Sequence, residues 1–218
     1  TTEIYTLSLH DALPICRSLT VRPEHGVELS AANSTRNAEP DGSASFSVIL
    51  RNTGIASDNY TLDATLPDGW SGWYNWTGNE TIAPDSTVEL AVTIDVNANA
   101  TAGEHLVLLT ATSQGDTNAS ASIELRVNVS QHYGIALELP LGAQRVLPDT
   151  WVSYPVQITN SGNGQDDFDL FTGSGWLATI EVAGSLASEI ALNAGETSIA
   201  ELRRSEEHTS ELQSRAYL

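Results

Sequence analysis

The chain has 218 residues, room for one large or two small domains. Its formal net charge is −19, from 28 acidic residues against nine basic ones, all of them arginine. Such acidity argues against nucleic acid or an anionic membrane as a partner, because a strongly negative surface repels phosphates. The single cysteine, Cys16, excludes an internal disulfide framework and a cysteine-based zinc site.

The first sixteen residues, TTEIYTLSLHDALPIC, lack the basic start of a signal peptide and carry His10 and Asp11. No apolar run in the chain approaches the length that spans a bilayer. The chain contains no methionine, which is the expectation for a piece of a longer protein. From Val27 onward the dominant signal is alternation of period two in short runs punctuated by Gly, Asn, Asp and Pro. Ser45–Asn52 places Phe46, Val48 and Leu50 on one face, and Asn59–Leu66 does the same with Tyr60, Leu62 and Ala64. Val88–Val96 alternates without interruption, and Leu106–Thr112 and Ile123–Val129 follow as further strands. Strands with one buried face and regular turns predict an all-β fold of antiparallel sandwiches.

An internal repeat organises the chain. FSVILRNTGIASDNYTL (Phe46–Leu62) aligns without gaps with YPVQITNSGNGQDDFDL (Tyr154–Leu170), sharing Val48/Val156, Asn52/Asn160, Gly54/Gly162, Asp58/Asp166 and Leu62/Leu170. Gly69-Trp70 matches Gly175-Trp176, and IAPDST (Ile82–Thr87) parallels LNAGET (Leu192–Thr197). Two copies of one unit therefore stand in tandem, joined near Ser130–Tyr133. Asn52-Thr53-Gly54 and its copy read as turns that tolerate positive φ. Trp70 and Trp176 read as core aromatics delivered after a tight bend.

The set Asn52, Gly54, Asp58, Tyr60, Leu62, Gly69, Trp70, Thr87, Ala100, Ala102 and Gly103 resembles the immunoglobulin-like domains of prokaryotic surface proteins. These are the CARDB-type adhesion-related domain and its relative beside α-galactosidases and other secreted hydrolases. Asp85 departs from the pattern, standing where glycine is usual. The resemblance implies two tandem sandwiches: a complete domain over residues 22–130 and an incomplete one over 133–203, lacking its last two strands. Residues 1–16 and 204–218 (RSEEHTSELQSRAYL from Arg204) each resemble a translated sequencing-library adapter, and are expected to lie outside the natural protein.

Chemistry is sparse. Seven N-x-S/T sequons, at Asn33, Asn59, Asn75, Asn79, Asn99, Asn118 and Asn128, make candidate N-glycosylation sites, against a plain Asn/Thr-rich composition. Within DGWSGWYNWTG, Trp73 and Trp76 are candidates for stacking on a sugar ring, against aromatics that merely cover a sandwich edge. Asp166, Asp167 and Asp169 form a weak calcium candidate, since alternation sends Asp166 to the opposite face from the other two. No G-x-S-x-G, H-E-x-x-H or phosphate-binding loop is present, and His25, His105 and His132 sit in no nucleophile or metal motif. No enzyme activity and no cofactor are expected. The resemblance implies an extracellular or cell-surface, non-catalytic spacer or adhesive module of a larger prokaryotic protein. Its partners would be neighbouring domains of the same protein and surface polysaccharide or protein. The alternative is a carbohydrate-binding accessory module of a secreted hydrolase.

Overall fold

The computed structural model describes residues 21–144, 150–173 and 178–205, and these form strands and turns with no helix. The chain divides into two compact units, Thr1–Ala98 with Glu104–Asn128, and Asn99–Gly103 with Val129–Leu218.

In the first unit the strands are β1 (Val27–Ser30), β2 (Thr35–Ala38), β3 (Ser43–Asn52), β4 (Tyr60–Thr65), β5 (Ser71–Tyr74), β6 (Thr87–Asp95), β7 (Gly103–Ser113) and β8 (Ser120–Val129). One sheet has the order β1-β3-β6-β5 and the other β2-β8-β7-β4. Alternation does the sorting. Along β3 every second residue, Ala44 to Asn52, is buried, and the residues between them are exposed. Phe46, Val48 and Leu50 meet Leu90, Val92 and Ile94 of β6 from the same sheet, and Val107, Leu109, Leu125 and Val127 line the facing one. Each such fully buried aliphatic side chain stabilises the fold by about 1.5–3 kcal/mol relative to exposure.

The second unit contains β9 (Ile135–Glu138), β10 (Trp151–Asn160), β11 (Asp166–Asp169), β12 (Ala178–Val182), β13 (Ser185–Leu186), β14 (Glu189–Leu192) and β15 (Thr197–Ser205). Its main sheet runs β9-β10-β15-β12-β13. This repeats the first sheet strand for strand: β9, β10, β15 and β12 occupy the places of β1, β3, β6 and β5. Registers repeat too. Val27 opposes Asn52 as Ile135 opposes Asn160, and Trp73 opposes Thr93 as Thr179 opposes Arg203.

The two units differ in the covering sheet. In the second unit only β11 and β14 form it among the described residues, where the first unit has four strands. Ile158, Leu192 and Ala200 make a small core, with Val156, Phe168, Leu170 and Ile180 partly buried against it. Beside it lies an open apolar groove of about 490 Å³ lined by Ile135, Leu137, Ile180 and Leu202 among others. Leu137 is 61% exposed and Phe171 85%. At the groove wall Arg204 holds the register position that Ile94 fills in the first core, so the apolar pattern of the repeat ends at Leu202. β15 continues to Ser205, two residues beyond the expected boundary at 203. Residues 1–16, with all of 206–218, lie outside the described residues.

Two turn expectations need correcting. Neither Gly54 nor Gly162 has positive φ. Each is required by close approach instead: a Cβ on Gly54 would overlap the Glu24 carbonyl, and one on Gly162 the His132 carbonyl. Positive φ falls later, at Asp85 (φ 59°) and its counterpart Gly195 (φ 72°), each the third residue of a turn closed by Ser86 N–H to Ala83 O or Glu196 N–H to Asn193 O. Asp85 is an L-residue held in the left-handed region, and its carboxylate takes both Nη1 and Nη2 of Arg22 at 2.7 and 2.8 Å. The Arg22 hydrogen bond holds the Asp85 carboxyl below its usual range.

Candidate functional site

Asn52 and Asn160 are both fully buried at the last inward position of their strands. Asn52 Nδ2 donates to Ala56 O and Ile82 O at 2.8 and 2.9 Å, and its Oδ1 accepts from Gly54 N–H at 2.9 Å. Asn160 does the same with Gly164 O, Leu192 O and Gly162 N–H. These amides are structural clamps that tie the strand end to two loops.

Asp58 forms a second buried polar node. Its Oδ2 accepts from Ser113 Oγ at 2.5 Å and faces His25 Nδ1 at 2.9 Å, while Oδ1 accepts the N–H groups of Asn59 and Gly115. Burial pushes the carboxyl up, but the hydrogen bonds from Ser113, His25, Gly115 and Asn59 outweigh it and hold Asp58 below the usual range. A serine, a histidine and an aspartate thus meet, but in the wrong order for nucleophilic catalysis. The carboxylate sits between them, so Ser113 donates its hydroxyl hydrogen bond to Asp58, and the imidazole does not reach its oxygen to activate it. The His25 ring lies over Gly115, where any Cβ would overlap it. Burial and the Asp58 charge push the neighbouring Tyr60 hydroxyl up to about 12, and that hydroxyl donates to Gly26 O at 2.9 Å. Sequence reasoning missed this node, whose members come together only through strand pairing.

The tryptophans sort differently from expectation. Trp76 is 8% exposed and its Nε1 donates to Tyr60 O at 2.8 Å, so it has no face to offer a sugar and fills the core position expected of Trp70. Trp70 is half-buried at the rim, where a Pro67–Trp70 turn with Gly69 at φ 75° delivers it onto His105, ring centroids 5.0 Å apart. Trp176 lies outside the described residues. Trp73 is 55% exposed on β5, the edge strand of its sheet. It stands in a row with Thr93 and Ser45, whose hydroxyls are 3.1 Å apart. Beside that row is a shallow depression of about 460 Å³, with small Ala91 between Ser47, Asn75, Glu89 and Arg36.

Six of the seven sequon asparagines are exposed, namely Asn33, Asn75, Asn79, Asn99, Asn118 and Asn128, and Asn59 is half-buried. Asp167 and Asp169 point outward, while Asp166 faces in and its Oδ1 accepts Asp167 N–H at 2.9 Å, as Asp58 accepts from Asn59. Asp166 is the first residue of β11 and spends its Oδ1 on the next backbone N–H, and among the described residues no group of three or more His, Cys, Asp or Glu side chains could hold a metal ion. No described helix is long and apolar enough to cross a membrane.

The fold defines an antiparallel β-sandwich unit with a strand-for-strand repeat of its main sheet. Residues 38–114, most of the first unit, match the family described as NPCBM-associated, NEW3 domain of alpha-galactosidase. No curated protein matches the chain. Among solved structures it is similar to the secreted serine protease VesC from Vibrio cholerae, at 10% identity and TM-score 0.37, covering 84% of this chain and 47% of that one. A protein of unknown function from Porphyromonas gingivalis W83 gives 15%, 0.38, 88% and 87% in the same order. A family 123 glycoside hydrolase from Clostridium perfringens gives 10%, 0.38, 49% and 27%. The chain thus spans about half the length of the first of these structures.

Proposed function

We propose that this chain is a non-catalytic accessory segment of a larger secreted or cell-surface protein, working as a structural or adhesive spacer. The carrying observation is the likeness of residues 38–114 to the NPCBM-associated, NEW3 domain of alpha-galactosidase. The polar nodes support the same reading, because Asn52, Asn160 and Asp58 are all spent on holding turns. Pulling the full chain by its ends tests it: a spacer shows a discrete unfolding peak for the first unit, releasing about 3.3–3.6 Å per residue. Turnover of any glycoside by the purified chain would overturn the reading.

Trp73 favours a second reading, a saccharide platform. Its exposed indole, set among serine and threonine hydroxyls, offers an apolar face ringed by hydrogen-bonding groups. Binding to an oligosaccharide panel, abolished by Trp73→Ala and kept by a substitution on the opposite sheet, is the expected result.

A further inference from the structure

One sequon differs from the rest. Trp73-Tyr74-Asn75-Trp76-Thr77 places an aromatic ring two residues before its asparagine; the residues at that offset from the other six are Ala31, Ser57, Thr77, Asn97, Asp116 and Arg126. Two residues along a strand is one full pleat, about 6.6 Å, and both side chains leave on the same face. The neighbours fix that parity. A Cβ on Gly72 would meet Ile94 Cδ1 at 3.0 Å and Trp76 is in the core, so Trp73 and Asn75 must face outward.

Asn75 is also oriented for the chemistry. Its Oδ1 accepts the N–H of Ala91 at 2.7 Å, and only the carbonyl end of an amide can accept there. Nδ2 is thereby turned away from the ladder. The chain bends at Asn75 as it leaves edge strand β5, and Asn75 and Thr77 are both exposed. By contrast Nδ2 of Asn118 donates to Asp116 and that of Asn128 to Asn37, and Asn59 is half-buried.

We propose that Asn75 is an N-glycosylation site whose first sugar lies on the indole of Trp73, so that the glycan covers the outer face of the β1-β3-β6-β5 sheet. A bond forms between Asn75 Nδ2 and C1 of the sugar as C1 parts from the phosphate oxygen of a lipid-linked glycosyl phosphate donor. The Nδ2 proton goes to a base of the transferase, and phosphate leaves with the bonding pair; nothing is oxidised or reduced. The ring then stacks its C–H face on Trp73, and the next sugar reaches the depression floored by Ala91. The inference rests on the extracellular setting of the proposed function, and supplies from within the chain the saccharide that Trp73 is shaped to take.

The test is a cycle on the full chain, secreted from a host that performs N-glycosylation and also made in one that does not. Wild type, Trp73→Ala, Asn75→Gln and the double variant are compared by glycopeptide mass spectrometry and thermal unfolding of the first unit. Asn75 is expected to be occupied, and its glycan to raise Tm by about 4 °C when Trp73 is present and by almost nothing in Trp73→Ala. An empty Asn75 beside occupied neighbouring sequons overturns the proposal. So does an equal Tm rise in both backgrounds, or free oligosaccharide binding that the glycosylated form retains through Trp73. Glycoside turnover by the chain would sink the spacer reading and leave this one standing.

Discussion

Asn52 and Asn160, 108 positions apart, make the same three side-chain hydrogen bonds to equivalent partners in two separate units. Replacing either by alanine removes three hydrogen bonds, of which the one to Ile82 O or Leu192 O is fully buried, although Ile82 O keeps the N–H of Asp58. Each lost bond costs about 0.5–1.5 kcal/mol, so the expected loss is about 3 kcal/mol per site. Urea unfolding followed separately for each unit should show Asn52→Ala acting on the first and Asn160→Ala on the second, additively in the double variant.

The Asp58 node makes the first unit acid-sensitive. Its carboxyl is held below the usual range, so its contribution is complete above the unfolded value near 3.9 and fades as pH falls through the lower folded value. Asp58→Asn should flatten stability against pH below about 4 and cost about 2 kcal/mol at neutral pH, because an NH2 replaces an oxygen that accepts Ser113. A variant with unchanged acid sensitivity would count against the assignment.

Tyr60 sets the alkaline limit in the opposite sense. With its hydroxyl raised to about 12, its stabilisation is complete below the unfolded value near 10 and is lost as pH climbs from there through 12. Spectrophotometric titration should find one late tyrosine in the first unit, absent in Tyr60→Phe. That variant should lose about 1 kcal/mol with the bond to Gly26 O.

Trp73 and Trp76, three residues apart, should separate cleanly. Trp76→Ala empties a core position and should cost about 3–5 kcal/mol. Trp73→Ala in the unglycosylated chain should change stability by less than about 0.5 kcal/mol. Chemical denaturation of both variants checks the pair.

The second unit should behave as an open half-sandwich. We expect it to bind an apolar dye strongly and to unfold over a broad range, while a first-unit fragment, residues 22–130, unfolds sharply. Grafting residues 96–130 after Ser205 should suppress the dye signal and sharpen the transition, by supplying strands that pair β11 as β7 pairs β4. Persistent dye binding in the graft would show that the groove needs a different cover.

How much was legible beforehand depended on distance along the chain. β3, β6 and β8 declared themselves because nine or ten residues alternate large apolar with polar side chains. β1, β2 and β5 are four residues long, too short a run for alternation to stand out. Repeat alignment found the Asn52 and Asn160 turns but rested them on positive φ, whereas a buried side-chain amide holds each one and leaves no periodic mark. His25, Asp58 and Ser113 lie 33 and 55 residues apart; β4·β7 pairing brings Ser113 to Asp58, and backbone bonds from residues 53–56 to Glu24 and Gly26 bring His25, so nothing local announced them. Placing Trp70 in the core rather than Trp76 was an error of where β5 begins. The inward parity covers both residues, and the rim position of the first is set by the turn before the strand.

The imidazole of His25 lying against Gly115 ties together two positions ninety residues apart in the chain. A side chain at Gly115 must push the ring aside, and with it the His25 contact to Asp58, whereas loss of the ring leaves room at Gly115. Accessible sequence change at this corner therefore has a direction. In a random-mutagenesis selection for folded protein, substitutions at 115 should be enriched in clones that have also replaced His25.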